Sequence, residues 1–335
     1  MRQIGEAIGA IRAVNLGSKR LAELEIEARA ISTHASTSIE GNPLPLTDVK
    51  RLLKQDPAHI RDTEREVLNY NNALQAIYGQ VRDGSFRLDM TTIEAVQGMV
   101  VDGLMRNPGE VGSVRQDVVV IRDPMKLDSV VFMPPDWKDV PRLLQDLVVF
   151  VNSQAGVIDP IILAGLFHRQ AVLIHPFMDG NGRTARLVAA AILGTGGGDG
   201  GQGIDVFELF SFENYYNRNI TRYFQEVGLV GDYYDFEREV DFTRWLEYFA
   251  DGVLDELSRV RKTLGAAPLV WLEEHHRKIL DYLDTHGRVT QLAYGEISNR
   301  SLASRKKDFQ KLIDLGLIEK RGGGRSTYYV RLERV

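Results

Sequence analysis

The chain has 335 residues, 44% of them apolar and 26% charged, with a formal net charge of −5. Such a composition belongs to a folded globular protein and excludes intrinsic disorder and collagen-like repeats. There is no cysteine, which removes disulfides, thiolate metal sites, iron–sulfur clusters and cysteine nucleophiles together.

No run of about 18 apolar residues is present, so no membrane span is expected. The N-terminal segment lacks the apolar core of a signal peptide, and a cytoplasmic protein follows as the default. In chain order, helical spacing of apolar residues predicts a helix over 18–40, ended by Pro43 and Pro45. Further helices are predicted over 61–82, 90–103, 138–153 and 160–173, the last with Asp159 as N-cap and Pro160 at its first position. Between them, Val118–Ile121 and Val130–Phe132 flank Asp123-Pro124 and predict a β-hairpin over 117–133.

Residues 194–203 are dominated by glycine, with no Gly-Lys-Ser/Thr following, and read as a flexible connector rather than a phosphate loop. Helices return over 211–226 and 239–262, and Gly265-Ala266-Ala267-Pro268 reads as a domain boundary. Beyond it come helices at 271–285, 291–297 and 301–315, then two short strands around Gly322-Gly323-Gly324. Three helices and a hairpin make a winged-helix layout. From His286 to Val335 there are 11 Lys/Arg against 5 Asp/Glu, a net +6, which leaves −11 on residues 1–285. A basic module on an acidic body is the expected organisation. The fold class is therefore mainly α, with a small α+β domain at the C-terminus. The divisions expected are an N-terminal helical region at 1–60, a catalytic core at 61–265 and a winged helix at 266–335.

The stretch that carries chemistry runs from His175 to Arg186, His-Pro-Phe-Met-Asp-Gly-Asn-Gly-Arg-Thr-Ala-Arg. Pro176 breaks the preceding helix and leaves His175 at its end. Asp179-Gly180-Asn181-Gly182 is a turn that feeds an apolar helix, so unpaired N–H groups face an anion there. Arg183 and Arg186 are neighbours on that helix and suit a polyphosphate. Asp179 is an oxygen ligand suited to Mg²⁺, and His175 can take a proton from a hydroxyl. A nucleotide site with a metal and a base is the expectation.

At every specified position this stretch resembles the signature of the Fic family, His-x-Phe-x-Asp/Glu-Gly-Asn-Gly-Arg-x-x-Arg, and the resemblance extends over roughly 30–260. It implies a helical enzyme that transfers AMP from ATP to a hydroxyl of a target protein, releasing pyrophosphate. On that resemblance His175 is the base and Asp179 holds Mg²⁺. Gly180, Asn181 and Gly182 form the anion hole, Arg183 contacts the phosphates, and Arg186 grips the γ-phosphate. The hairpin resembles the flap that holds a target backbone as an added strand. Tyr215 and Tyr216 resemble residues near the adenine, although a plain core role also fits them. The glycine-rich segment departs from the family pattern.

Ser36-Thr37-Ser38-Ile39-Glu40-Gly41 fits Ser/Thr-x-x-x-Glu-Gly/Asn, the family's inhibitory motif. Glu40 paired with Arg186 would occupy the group meant for the γ-phosphate. The C-terminal segment resembles winged-helix domains that accompany some bacterial Fic proteins. Its third helix is expected to bury Leu302, Phe309, Leu312 and Ile313, and to expose Arg305, Lys306, Lys307 and Lys311. Duplex DNA through residues 300–325 and a second copy of the chain are candidate partners. Two other readings stay open: a nucleotide-sensing transcription regulator, and a transferase for another nucleotide.

Overall fold

Apolar residues at spacings of three and four set the helices of this chain, from the first turn onward. The computed structural model describes residues 1–14, 18–55, 59–123, 126–198, 200–228, 230–236, 241–270, 272–315 and 317–332. These divide into two compact units, Glu27–Glu256 and Met1–Ile26 with Leu257–Val335.

The first helix, α1 (Arg2–Arg12), buries Ile4, Ala7 and Ile11 on one stripe. Helix α2 (Ser18–Ile39) follows the predicted span. Its C-terminal half is buried on nearly every side, with Ala35, Ser36 and Thr37 at 1% exposure or less. A short α3 (Leu46–Leu52) precedes α4 (Asp62–Asp83). Helix α4 is closed by Gly84, whose left-handed backbone (φ 73°) ends the helix. Asp89 caps α5 (Met90–Val101), its carboxylate accepting the Thr92 N–H at 2.7 Å.

The expected hairpin forms, but it is shorter at its start. Strand β1 spans Ile121–Asp123 and β2 spans Lys126–Met133, antiparallel with Ile121 opposite Phe132. Val118, Val119 and Val120 lie outside any strand, and the turn at Pro124 lies outside the described residues. A two-residue strand near residue 231 later pairs in parallel with the end of β2. It is too short for an alternating pattern, so nothing in the sequence announces it.

Helices α6 (Val140–Ser153) and α7 (Pro160–Ile174) match their predictions, and Asp159 caps α7 by accepting the Ile161 N–H at 2.9 Å. Helix α8 (Asn181–Thr195) is the hub: it packs against α7, α4 and α5, and Leu187, Val188, Ala189 and Ile192 are fully buried. The described part of the glycine-rich segment is not a loose connector. Gly203 lies directly on the Gly194 carbonyl, so close that any Cβ would overlap it, and the Ile204 N–H bonds Leu193 O at 2.7 Å. Glycine is needed there for close backbone approach. Asp199 lies outside the described residues.

The single helix predicted over 211–226 is two, α9 (Phe212–Asn217) and α10 (Ile220–Val227), because Asn219 caps a new start by accepting the Arg222 N–H at 3.0 Å. Strand β3 (Gly231–Asp232) and α11 (Tyr233–Phe236) precede α12, which runs over Thr243–Val270 and so through the predicted break at Gly265–Pro268.

In the second unit, α13 (Glu274–His286), α14 (Gln291–Ile297) and α15 (Leu302–Asp314) are followed by antiparallel β4 (Ile318–Arg321) and β5 (Tyr328–Arg331). Ile279, Tyr294, Phe309, Leu312, Ile318 and Tyr329 form its core, and the Phe309 and Tyr329 rings stack with centroids 4.0 Å apart. Buried Asp308 joins α14 to α15, accepting from Tyr294 Oη at 2.9 Å and from both Nε and Nη2 of Arg300. Two expectations for α15 are corrected. Leu302 is 56% exposed, because it sits in the first turn beyond the packed face. Arg305 is half-buried and tied down, donating to the carbonyls of Arg300 and Gln291. Among the described residues, no helix is long and apolar enough to cross a membrane.

Candidate functional site

The site is built at the turn between α7 and α8. His175 ends α7 in the left-handed region (φ 50°, ψ 62°), the one non-glycine residue with positive φ among those described. That conformation costs about 1 kcal/mol or more for a residue with a Cβ, and Pro176 prevents the helix from continuing. The ring Nδ1 lies 3.3 Å from the Val172 carbonyl. A carbonyl only accepts, so Nδ1 carries the proton and Nε2 keeps its lone pair. Burial pushes the imidazole down to about 4, so it is neutral at pH 7.

Asn181 stitches the turn. Its Nδ2 donates to Phe177 O at 2.8 Å, and its Oδ1 accepts the Phe177 N–H at 2.9 Å. Both ends of the amide are thereby used within the loop. Gly180 (φ 81°) is the N-cap of α8, and a Cβ there would press on Val101 Cγ1 at 2.9 Å.

Asp179 sits at the mouth with its side chain 54% exposed. Its Oδ1 accepts from the Gly180 N–H at 2.6 Å and from Arg183 Nη2 at 3.1 Å, which leaves Oδ2 for an ion. One carboxylate oxygen at an open, solvated position suits Mg²⁺, which keeps several waters and shares phosphate oxygens. Arg183 is buried, and its Nη1 donates to Glu66 Oε1 at 2.7 Å.

Arg186 is fully buried and points to α2. Its Nε donates to Ser36 Oγ at 2.7 Å, its Nη2 to Ser36 O at 3.0 Å and to Glu40 Oε1 at 2.7 Å, and its Nη1 to Tyr223 Oη at 3.3 Å. Burial disfavours this charge, but Glu40 together with Tyr223 and Tyr70 holds the guanidinium above its ordinary pKa. Gly41 (φ 93°) turns the chain just after Glu40. Ser36 and Glu40 thus both meet Arg186 at this turn. The Glu40 carboxylate lies directly over the first turn of α8, where a Cβ on Gly182 would collide with Glu40 Oε1. An acidic side chain thus sits where the helix N-terminus attracts an anion. Gly182→Ala is expected to lower thermal stability, and the loss should shrink in a Glu40→Gly background. Equal losses in both backgrounds, measured by melting curves, would contradict this placement.

The sequence profile of the Fic/DOC family matches residues 59–193. Over these residues the chain resembles a Fic domain. Relatives include protein adenylyltransferase Fic of Aedes aegypti, 27% identical over 192 residues, covering 56% of this chain and 36% of the relative. The relative of that name from Nematostella vectensis is 29% identical over 162 residues, covering 47% of this chain and 36% of its own length. This chain therefore spans about a third of the curated relatives it matches. Among solved structures, a Fic family protein from Desulfovibrio desulfuricans G20 superimposes with a TM-score of 0.63 at 19% identity, covering 99% of this chain and 94% of that one. A Fic domain containing signaling protein from Bacteroides thetaiotaomicron gives 0.60 at 20% identity, covering 78% and 97%. These two likenesses concern the fold.

The two tyrosines part company in the structure. Tyr216 is fully buried and stacks on Tyr223 and Tyr248, with centroids 5.0 and 5.4 Å away, and burial raises its phenol well above the ordinary value. That is the core role the sequence leaves open for it. Tyr215 is only half-buried, beside Tyr248 and under the Arg218 guanidinium. Behind the Fic motif, Tyr223 Oη accepts from Arg186 and lies 3.2 Å from His168 Nε2. The two groups share that hydrogen bond, and burial keeps His168 neutral.

Sequence reasoning missed the residues that hold the Fic motif from outside. Arg115, 3% exposed, donates from Nε to the His175 carbonyl at 2.8 Å, from Nη1 to Asp117 O and from Nη2 to Pro135 O. It thereby joins the His175 turn to both ends of the hairpin segment. Gln97 is fully buried, donating to Asp179 O at 3.1 Å and accepting the Gly112 N–H at 2.6 Å. A lone Arg and a lone Gln give no periodic signal, and only the tertiary structure brings them to the turn. Arg115→Ala strips these carbonyls of their donor. It should cost about 2–4 kcal/mol, and a denaturation midpoint equal to wild type would refute the clamp.

Proposed function

We propose that the chain is a self-inhibited protein adenylyltransferase, moving AMP from ATP to a Ser, Thr or Tyr hydroxyl of a target protein or of itself. The observation that carries this reading is the Glu40–Arg186 pair at 2.7 Å over the first turn of α8. An acidic side chain held where phosphate belongs is what a brake on a phosphate site requires.

In this reading the α-phosphate rests against the N–H groups of the first turn of α8, and Arg183 and Arg186 face the outer phosphates. Asp179 would hold Mg²⁺, which would supply positive charge against the phosphates. His175 Nε2 takes the proton of the target hydroxyl. The hydroxyl oxygen then attacks the α-phosphorus in line, the bond to the β-bridging oxygen breaks, and pyrophosphate leaves with that electron pair. The β1–β2 hairpin, which Arg115 links to the His175 turn, is suited to hold the target backbone as an added strand.

Mass spectrometry of the Glu40→Gly protein after incubation with ATP and Mg²⁺ tests the reading. An adenosine monophosphate adduct on a hydroxyl side chain supports it, and an unmodified protein beside an unmodified target pool counts against it. Competition by GTP, CTP and UTP then ranks the bases. Glu40 can also orient a water for the reverse reaction. Loss of the adduct with wild type, but not with Glu40→Gly, is the required outcome.

A second reading concerns the three-helix unit and its hairpin. Lys306 and Lys307 are exposed on α15, within a segment of net charge +6 over residues 286–335. This supports a duplex-DNA contact through phosphates, with affinity falling steeply as salt rises. A flat salt response, or no mobility shift of duplex DNA, removes it.

A further inference from the structure

The turn that carries Glu40 is fastened at a second point. Asn42, two residues on and 8% exposed, spends its whole side chain on that fastening. Its Nδ2 donates to Thr63 O at 2.8 Å and to Glu66 Oε2 at 2.7 Å, and its Oδ1 accepts the Leu44 N–H at 3.1 Å. The other oxygen of the same carboxylate, Glu66 Oε1, is the partner of Arg183 Nη1. Arg183 in turn reaches Asp179 through Nη2. One unbroken line of bonds therefore runs from the Glu40 turn through Asn42 and Glu66 to Arg183, inside a single compact unit.

We propose that Asn42 is a positioning residue of this site: it aims Glu40 at Arg186, and through Glu66 it couples that aim to Arg183. This rests on the adenylyltransferase reading of the same site. The physical argument is reciprocity. While Arg183 neutralises Glu66, the carboxylate stays seated between α4 and the α2 turn, and Asn42 has its acceptor. A phosphate that draws Arg183 away leaves Glu66 half-buried with an unpaired charge. Burial already pushes the Glu66 carboxyl up against the opposing pull of Arg183 and Asn42. The seat of Asn42 then loosens, and with it the hold on Glu40. Linkage requires the converse, so freeing Asn42 eases productive phosphate binding.

The test compares wild type, Asn42→Ala, Glu66→Gln, Glu40→Gly and the Glu40→Gly/Asn42→Ala double variant. The first readout needs no activity: the guanidinium ¹⁵N–H resonances of Arg186, assigned with Arg186→Lys. Asn42→Ala should move them toward their Glu40→Gly positions, and Glu66→Gln should move them the same way. The second readout is labelling with ATP and Mg²⁺. Asn42→Ala should raise it at least about fivefold over wild type, the effect of one lost hydrogen bond to a charged group. In the Glu40→Gly background it should add nothing, because its effect runs through Glu40. A role limited to stability would instead lower labelling in both backgrounds. Arg186 resonances of folded Asn42→Ala and Glu66→Gln that stay at wild-type positions overturn the proposal. Absence of labelling by Glu40→Gly itself overturns the transferase reading instead, and the resonances still judge Asn42.

Discussion

Glu40→Gly is expected to raise the rate of adenylylation by about 10–100-fold over wild type. The size follows from the contact it removes. Glu40 Oε1 accepts from Arg186 Nη2 at 2.7 Å, and Arg186 is fully buried. A hydrogen bond to a charged group, partly shielded from water, contributes about 1.5–3 kcal/mol. A γ-phosphate that no longer competes with it gains a comparable advantage, about one to two powers of ten. The same substitution should lower stability, because the buried guanidinium keeps only the neutral acceptors Ser36 and Tyr223. ATP with Mg²⁺ should restore the melting temperature of the variant by binding its folded state. Equal labelling by wild type and variant would sink the brake.

His175→Ala in that released background should reduce transfer by about 10²–10⁴-fold, the usual worth of a positioned base. It should leave nucleotide affinity nearly unchanged, since Nε2 acts on the incoming hydroxyl rather than on ATP. The pH dependence gives an independent check. A base works in its deprotonated form, so rate is lost as pH falls through its pKa. Burial and Arg115 lower the His175 imidazole, to about 4, while Glu40 and Asp179 raise it. Removing Glu40 takes away one upward influence, so the imidazole of the nucleotide-free variant, followed by NMR, should titrate no higher than about 4. Titration near the ordinary histidine value of about 6.5 would contradict the burial of the ring, and retention of full activity by His175→Ala would remove His175 from this role.

Legibility followed distance along the chain. His175, Asp179, Gly180, Asn181, Gly182, Arg183 and Arg186 stand within twelve consecutive residues, so the local code for a helix stop, a glycine turn and a helix start exposed them together. Glu40 was legible because its motif is short and contiguous, and its partner Arg186 lies 146 residues away. Arg115, Gln97 and Glu66 act on the same turn from 60, 82 and 117 residues away. Each is a single polar residue in an ordinary setting, and neither composition nor period marks it. Asn181 shows a further limit: nothing in the sequence says that its amide is spent on Phe177. In the glycine-rich segment composition reports freedom, whereas Gly203 is there to let two backbones touch. Leu302 misled because residue type was read without its place in the helix turn.

The burial of Arg186 has a consequence for how the resting state answers its surroundings. Mobile ions weaken exposed charge pairs over about 10 Å of solution, and they cannot enter around a guanidinium that water does not reach. The idle rate should therefore vary less with ionic strength than an exposed pair would allow, since only the Glu40 side of the pair meets water. What sets that rate is local: the Glu40 carboxylate, on the turn just beyond α2, must leave Arg186.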